Sequence, residues 1–476
     1  MIDTTTFASG IRVLPWRLRA CTERWMRASA HPLLVAATLL AFGSDAVALD
    51  ASTGPNANTA ADRINLLCND ALRCRSDGGT EDGIVPFVVT NDLPTPNPAF
   101  FQRAENIIRH AEELGLAVIL DPIETTGWLH TLRVNGVAGA YRYGLYLGNR
   151  YRDIPNIIWL HGNDFQSWQN KDDDALVQAV ARGIRHEAPN QLQTVELNFL
   201  TSGSLDDPGW QPLIDMSAAY TYFPTYVQIL NEYNRANYKL VFLVEANYEL
   251  EQQPNTDGGS AQNLRRQEYW TMLSGAAGQL YGSRNWSFEE GWRTDLNTRG
   301  AIELRYMKDL FARRRWYDLI PDQTHSVTKA GYHWLAESVA KLTAYLGSYR
   351  VSNSVRRRFL SFKASTRFGS ITTNSYAATA RTSDGSLVIT YLPTARAANI
   401  DMSKLAATAI AHWFDPTNGR YTSVEGSPFA NKGVRQFSPP GVNSAGDSDW
   451  VLLLETQPPA DHLAPSASMS QTDRSP

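Results

Sequence analysis

What most constrains this chain is a unit repeated between residues 64 and 281: a short apolar run, a polar residue at its C-terminal end, then an amphipathic helical stretch. Residues 64–68 lead into Asn69 and Asp70, residues 116–120 into Asp121, and residues 156–160 into His161, Gly162, Asn163 and Asp164. Further runs occupy residues 194–199, 216–222, 240–244 before Glu245, and 277–281. Strands that are apolar almost throughout suit a parallel sheet buried on both faces, and their alternation with helices predicts a parallel α/β fold. The clearest helix is predicted over 98–114. Asn97 caps it, Pro98 opens it, Ala104, Ile107, Ile108 and Ala111 form one apolar stripe, and Gly115 stops it.

The polar residues choose between an open sheet and a barrel. No G-x-G-x-x-G or P-loop pattern follows a strand, which removes the nucleotide-binding reasons for a doubly wound sheet. Carboxylates, amides and tyrosines gather instead at strand C-termini, where (β/α)8 barrels of the TIM type build their sites. The runs number seven, and residues 50–58 before them carry no strand signal. Either part of the N-terminal segment fills the first slot or the barrel lacks its first strand.

The barrel is read over residues 60–330. Residues 331–370 read as a helical connector, with a helix over 332–347 and a basic stretch at 350–358 that is the ordinary pattern of a solvated face. From 371 to 456, short strands separated by turns such as Ser383-Asp384-Gly385 predict an all-β sandwich, and the Pro- and Ser-rich residues 457–476 predict a disordered tail. At the other end, Arg12, Arg17, Arg19, Arg24 and Arg27 precede an apolar run at 32–43 and then Ala46-Val47-Ala48, the layout of a secretory signal over residues 1–48. That predicts a secreted or periplasmic protein, with an uncleaved N-terminal anchor as the alternative. Cys68 and Cys74 then either bridge, as export permits, or Cys68 is simply buried in the first run. A net charge of −4 gives no overall basic face for nucleic acid.

Glycosidic hydrolysis needs one carboxylic acid to protonate the leaving oxygen and a second carboxylate to attack or to activate water. Asp164 and Glu245 close the fourth and seventh strands if the missing strand is counted first, so a closed barrel sets them across its mouth as the candidate catalytic pair. Singly, Asp164 could cap a helix and Glu245 could form an internal salt bridge. Candidate sugar ligands are Asn69, Asp121, His161, Asn163, Asn198 and Tyr222, with Asp70, Glu124 and Glu196 behind them. Each also has a plain reading as a strand-end hydrogen-bonding group, and His161 that of a satisfied core histidine. The chain has no G-x-S-x-G, H-E-x-x-H or Cys/His ligand cluster, so no metal or cofactor is required.

Several longer stretches occur together in one known family. They are Asp92-Leu93-Pro94-Thr95-Pro96-Asn97, the segment from Tyr146 to Asp164, Val244-Glu245-Ala246-Asn247-Tyr248-Glu249, residues 273–282, and Trp413-Phe414-Asp415-Pro416-Thr417-Asn418-Gly419. In these the chain resembles the apiosidase-like glycoside hydrolases, whose barrel is followed by a β domain carrying a collagen-binding label. The resemblance implies hydrolysis of a glycosidic bond through an aspartate and a glutamate that map onto Asp164 and Glu245, with apiose release from pectic side chains as the best known activity. It implies a polysaccharide or oligosaccharide substrate, and collagen or cell-wall contact through the C-terminal domain. Two departures stand out: Gly162-Asn163-Asp164 replaces the usual Gly-Gly-Asp, and the family's opening strand and helix are not recognisable. The rival expectation is a non-catalytic polysaccharide- or collagen-binding protein with a degenerate barrel as scaffold.

Overall fold

A computed structural model describes residues 11–14, 61–69, 72, 74–198, 200–251, 257–288, 290–330, 334–348, 350–366 and 369–456. Asp70, the predicted tail and most of the predicted secretory signal lie outside these residues. Nine strands form the first sheet: β1 (Ile11–Leu14), β2 (Ala61–Asn65), β3 (Ala117–Asp121), β4 (Ile157–Phe165), β5 (Leu192–Leu197), β6 (Thr201–Gly203), β7 (Met216–Thr221), β8 (Leu240–Glu245) and β9 (Gln279–Gly282). Their order is β5-β4-β3-β2-β1-β9-β8-β7-β6. β2 to β5 run parallel, as do β7 to β9. β1 occupies the slot between β2 and β9 for which the sequence offered no strand, and it is antiparallel to both. On the far side β5 and β7 meet without a ladder, through Asp215 N–H to the Gln193 carbonyl (2.8 Å) and Thr194 Oγ1 to the Met216 carbonyl (2.9 Å). The domain is barrel-like.

Alternation divides each strand between an inside and an outside. Ile119, Ile158, Leu160, Met216, Ala218, Phe242 and Leu280 pack together within the sheet. Val118, Leu120, Trp159, Val195 and Leu197 point outward to the helices α1 (Pro98–Glu113), α2 (Thr125–Tyr151) and α3 (Lys171–Glu187). α1 forms where the pattern predicts: the Asn97 side chain accepts the Ala99 N–H at 3.1 Å, and Phe101 and Ile108 are buried. The first predicted run needs correction. β2 starts three residues earlier than read and ends at Asn65, which leaves Cys68 in the following turn, disulfide-bonded to Cys74 across a Cα–Cα distance of 5.9 Å.

The barrel-like sheet is completed on the outside by α4 (Thr225–Tyr233), α5 (Ala261–Leu273) and α6 (Arg299–Ala312). Beyond them come β10 (Leu319–Pro321), β11 (Thr328–Lys329), α7 (Trp334–Gly347), α8 (Asn353–Thr366), β12 (Ala378–Thr382), β13 (Leu387–Leu392), β14 (Ala398–Asp401), β15 (Ile410–Phe414), β16 (Tyr421–Ser423), β17 (Val434–Phe437) and β18 (Trp450–Glu455). They build two antiparallel sheets, β10-β12-β13-β18-β15-β16 and β11-β14-β17. Residues 319–329, read from sequence as barrel, are therefore edge strands of the second domain. The larger sheet is buried on both faces. Ile389, Tyr391, Val451 and Leu453 pack on Tyr269, Trp270, Leu310 and Phe311 of α5 and α6, whereas Val388, Leu392, Leu452 and Leu454 pack on the smaller sheet. Residues 450–454 are apolar throughout for that reason.

Candidate active site

Two β-bulges set the geometry of the site. Between His161 and Phe165 of β4, three residues stand opposite the single residue Glu196 of β5, because the register resumes at Phe165–Leu197. Gly162 (φ 102°), Asn163 (φ 49°) and Asp164 (φ 59°) all lie in the left-handed region. Such backbone costs energy and is held only where surroundings enforce it. Here Thr125 Oγ1 donates to the Gly162 carbonyl at 2.6 Å, and a Cβ on Gly162 would lie 2.5 Å from the Glu196 carbonyl oxygen. Only glycine fits there. Asp164 keeps the inward parity of Ile158 and Leu160, and the bulge draws it level with Glu196 instead of Asn198. In β8 one extra residue, Val244, separates Leu243, paired with Ala219, from Glu245, paired with Tyr220. That bulge aims Glu245 inward beside the interior tyrosines.

Asp164, Glu196 and Glu245 each place a carboxylate oxygen within 4.8 Å of the others. Tyr220 and Tyr222 donate their hydroxyls to Glu245 Oε1 at 2.6 and 2.8 Å. Arg63 of β2 faces Glu245 Oε2 at 3.8 Å, donates to both oxygens of Glu196 at 3.2 and 2.5 Å, and also donates to Asn163 Oδ1. Tyr248 reaches the same cluster with its ring against Gly282, where a Cβ would come within 2.3 Å of it. Three carboxylates this close could hold a cation, and the guanidinium of Arg63 already supplies one.

Burial and like charge dominate the proton affinities. Burial, with Glu245 and Glu196 adding to it, holds Asp164 well above the ordinary carboxylate range. Burial pushes Glu196 up to about 7 against the pull of Arg63. Asp121, fully buried at the end of β3, is also raised well above its usual range by burial, partly opposed by Arg63. Its Oδ2 and the Oδ1 atoms of Asn65 and Asp164 are buried without a hydrogen-bond partner among the described residues. Unpaired polar atoms of this kind are costly unless something fills the site.

The structure brings Asp164, Glu245, Asn163 and Tyr222 together and places Asp121 beside Arg63. Asn198 directly follows β5, and its Oδ1 accepts the Trp168 indole N–H. Asn69 lies in the turn after β2, next to the disulfide, where its carbonyl accepts the Leu72 N–H. Glu124 caps α2, accepting Thr126 and Gly127 N–H groups. His161 as a sugar ligand is corrected. It is 1% exposed, bonded to Gln193 at 2.7 Å, tilted against the Trp210 ring on the outward side, and burial lowers its pKa to about 4. Sequence reading missed Arg63, Tyr220 and Tyr248 and ranked Glu196 low. An arginine two residues before Asn65, in the same inward parity, was the available signal for Arg63; reading the strand from Ile64 hid it.

The family model for the apiosidase-like catalytic domain matches residues 74–318, and one described as "Putative collagen-binding domain of a collagenase" matches residues 369–455. No curated protein sequence matches the chain. A solved structure named as a glycoside hydrolase overlays with a TM-score of 0.64 at 19% identity, covering 83% of this chain and 85% of that one. A glycoside hydrolase family 5 structure from Bacteroides vulgatus ATCC 8482 gives 0.64 at 18% identity, with 83% and 82% covered. At such identities the likeness is one of fold.

Proposed function

The chain belongs to the apiosidase-like family, and from that premise we propose that it is a retaining glycoside hydrolase acting on a polysaccharide side chain, with Glu245 as nucleophile and Asp164 as acid and then base. The observation that carries this reading is the close approach of the two carboxylates, within 4.8 Å between oxygens. Retaining glycosidases set their pair ~5–5.5 Å apart, whereas inverting ones need ~6.5–9.5 Å to admit a water. Asp164 is suited to carry the proton because burial and two neighbouring anions favour its neutral form. Glu245 is suited to attack because two tyrosine hydroxyls fix its Oε1, leaving Oε2 beside Arg63.

In the first step Glu245 bonds to the anomeric carbon, the glycosidic C–O bond breaks, and the Asp164 proton passes to the leaving oxygen. In the second step water gives its proton to Asp164 and its oxygen to the anomeric carbon, and the ester to Glu245 breaks. We read the transferred and released sugar as apiose from a pectic side chain on the family's precedent, and the domain as a (β/α)8 barrel whose first-strand slot is taken by β1. The export reading of residues 1–48 is the alternative to that slot assignment, because cleavage after Ala48 would remove Ile11–Leu14.

The test is a panel of nitrophenyl glycosides and pectic oligosaccharides, apiosides first. Asp164→Asn and Glu245→Gln should each lower kcat by about 10²–10⁴-fold on a cleaved substrate, and the first product should keep its anomeric configuration by NMR. Activity retained in both variants would sink the assignment, and an inverted product would sink retention.

A further inference from the structure

The cluster holds more negative charge than a two-carboxylate reaction uses. Asp164 is faced by Arg63 from β2, Glu196 from β5, Tyr220 from β7 and Tyr222 just after it, and Glu245 from β8; Tyr248 stands beyond Glu245, and Asp121 beside Arg63. Arg63 is the cation in that set, and its bonds go to Glu196 and Asn163, with Glu245 further off at 3.8 Å. Glu196 is therefore anchored, with a side chain that is fully buried and an oxygen within 4.8 Å of both reacting carboxylates.

We propose that Glu196 is a positioning residue for the proton: pinned by Arg63, it holds the leaving-group proton on Asp164 before the first step and keeps Asp164 basic during the second. This rests on the roles assigned above to Asp164 and Glu245. The reason lies in what the first step does to charge. When Glu245 becomes a neutral ester, its repulsion of the Asp164 carboxylate vanishes, and proton affinity falls just as Asp164 must take a proton from water. Glu196 is not consumed. Its charge stays in place in a low-dielectric site, where it acts more strongly than in water. Glu196 itself titrates at about 7, so its support for Asp164 fades below neutrality.

Isotope-edited infrared titration of the Asp164 carboxylic C=O band, identified by its loss in Asp164→Asn, reads the effect without substrate. Wild-type Asp164 should stay protonated well above the ordinary range, and Glu196→Gln should lower its midpoint by about one pH unit, a tenfold loss of proton affinity. Glu196→Asp, which keeps an anion for Arg63 but withdraws it by one methylene, should shift it the same way by less, and it serves if the glutamine variant does not fold. On a nitrophenyl glycoside that the wild type cleaves, Glu196→Gln should move the alkaline limb of kcat/KM down equally and produce a burst as the second step slows. A purely structural partner of Arg63 would lower rates at every pH without moving the limb. An unmoved Asp164 midpoint in the variants, or a wild-type midpoint near the ordinary ~4, overturns the proposal. A wild type inactive on the whole panel instead sinks the functional reading, which the titration does not depend on.

Discussion

At the scale of residues, the site depends on hydrogen bonds that only a folded interior makes strong. Tyr220 and Tyr222 both donate to one oxygen of Glu245, and a bond to a charged group contributes about 1.5–3 kcal/mol. Tyr222→Phe should therefore lower kcat/KM by roughly 10- to 100-fold with little loss of folding, measured by steady-state kinetics beside a thermal melt. His161 acts on stability instead. Its pKa falls from 6.5 to about 4 on burial, so between those values the unfolded chain binds a proton that the native chain does not. Stability is fully present above 6.5 and is lost as pH falls towards 4, by up to about 3 kcal/mol. Urea melts across that window should show a shallower pH dependence in His161→Gln, and an unchanged slope would contradict the neutral, outward-packed histidine.

At the scale of elements, the two bulges matter more than the strands they interrupt. Without them, strand alternation would carry Glu245 to the outer face with Leu243, and Asp164 would stand level with Asn198 rather than Glu196. Gly162→Ala is the direct probe, because φ of 102° and the Glu196 carbonyl both oppose a side chain there. It should destabilise by about 1–3 kcal/mol and reduce kcat more than KM rises, seen in denaturant midpoints and kinetics together. The helix at 98–113 was legible from its local period, and the strands at 387–392 and 450–455 as short apolar runs bounded by turn residues. The bulges were not, since their cause is register with a neighbouring strand far away in sequence.

At the scale of the whole molecule, the β domain is joined to the barrel by more than a linker. Arg265 of α5 bonds Asp449 at 2.8 Å in a buried pair, the Trp270 indole donates to the Tyr376 carbonyl at 2.8 Å, and the Tyr226 and Tyr376 rings stack at 3.8 Å. One face of the larger sheet is spent on this contact. A single calorimetric transition is expected for both domains, with Trp270→Ala lowering it by about 3–5 kcal/mol as a large buried aromatic is lost. Two separate transitions, or residues 370–456 folding and staying monomeric alone, would show the β domain to be an independent module.

The amino-acid order by itself determined the strand–helix alternation and the antiparallel C-terminal domain, and it singled out Asp164 and Glu245 as candidates, because apolar patterning and strand-end polarity are written locally. Tertiary structure alone decided what those carboxylates can do. Arg63, Glu196 and the two tyrosines come from strands separated by as many as 159 residues from the nearest to the farthest partner, Tyr222 lying that far from Arg63. Their meeting is set by register, bulges and burial, and it is burial among like charges that turns an ordinary aspartate into a group able to carry a proton.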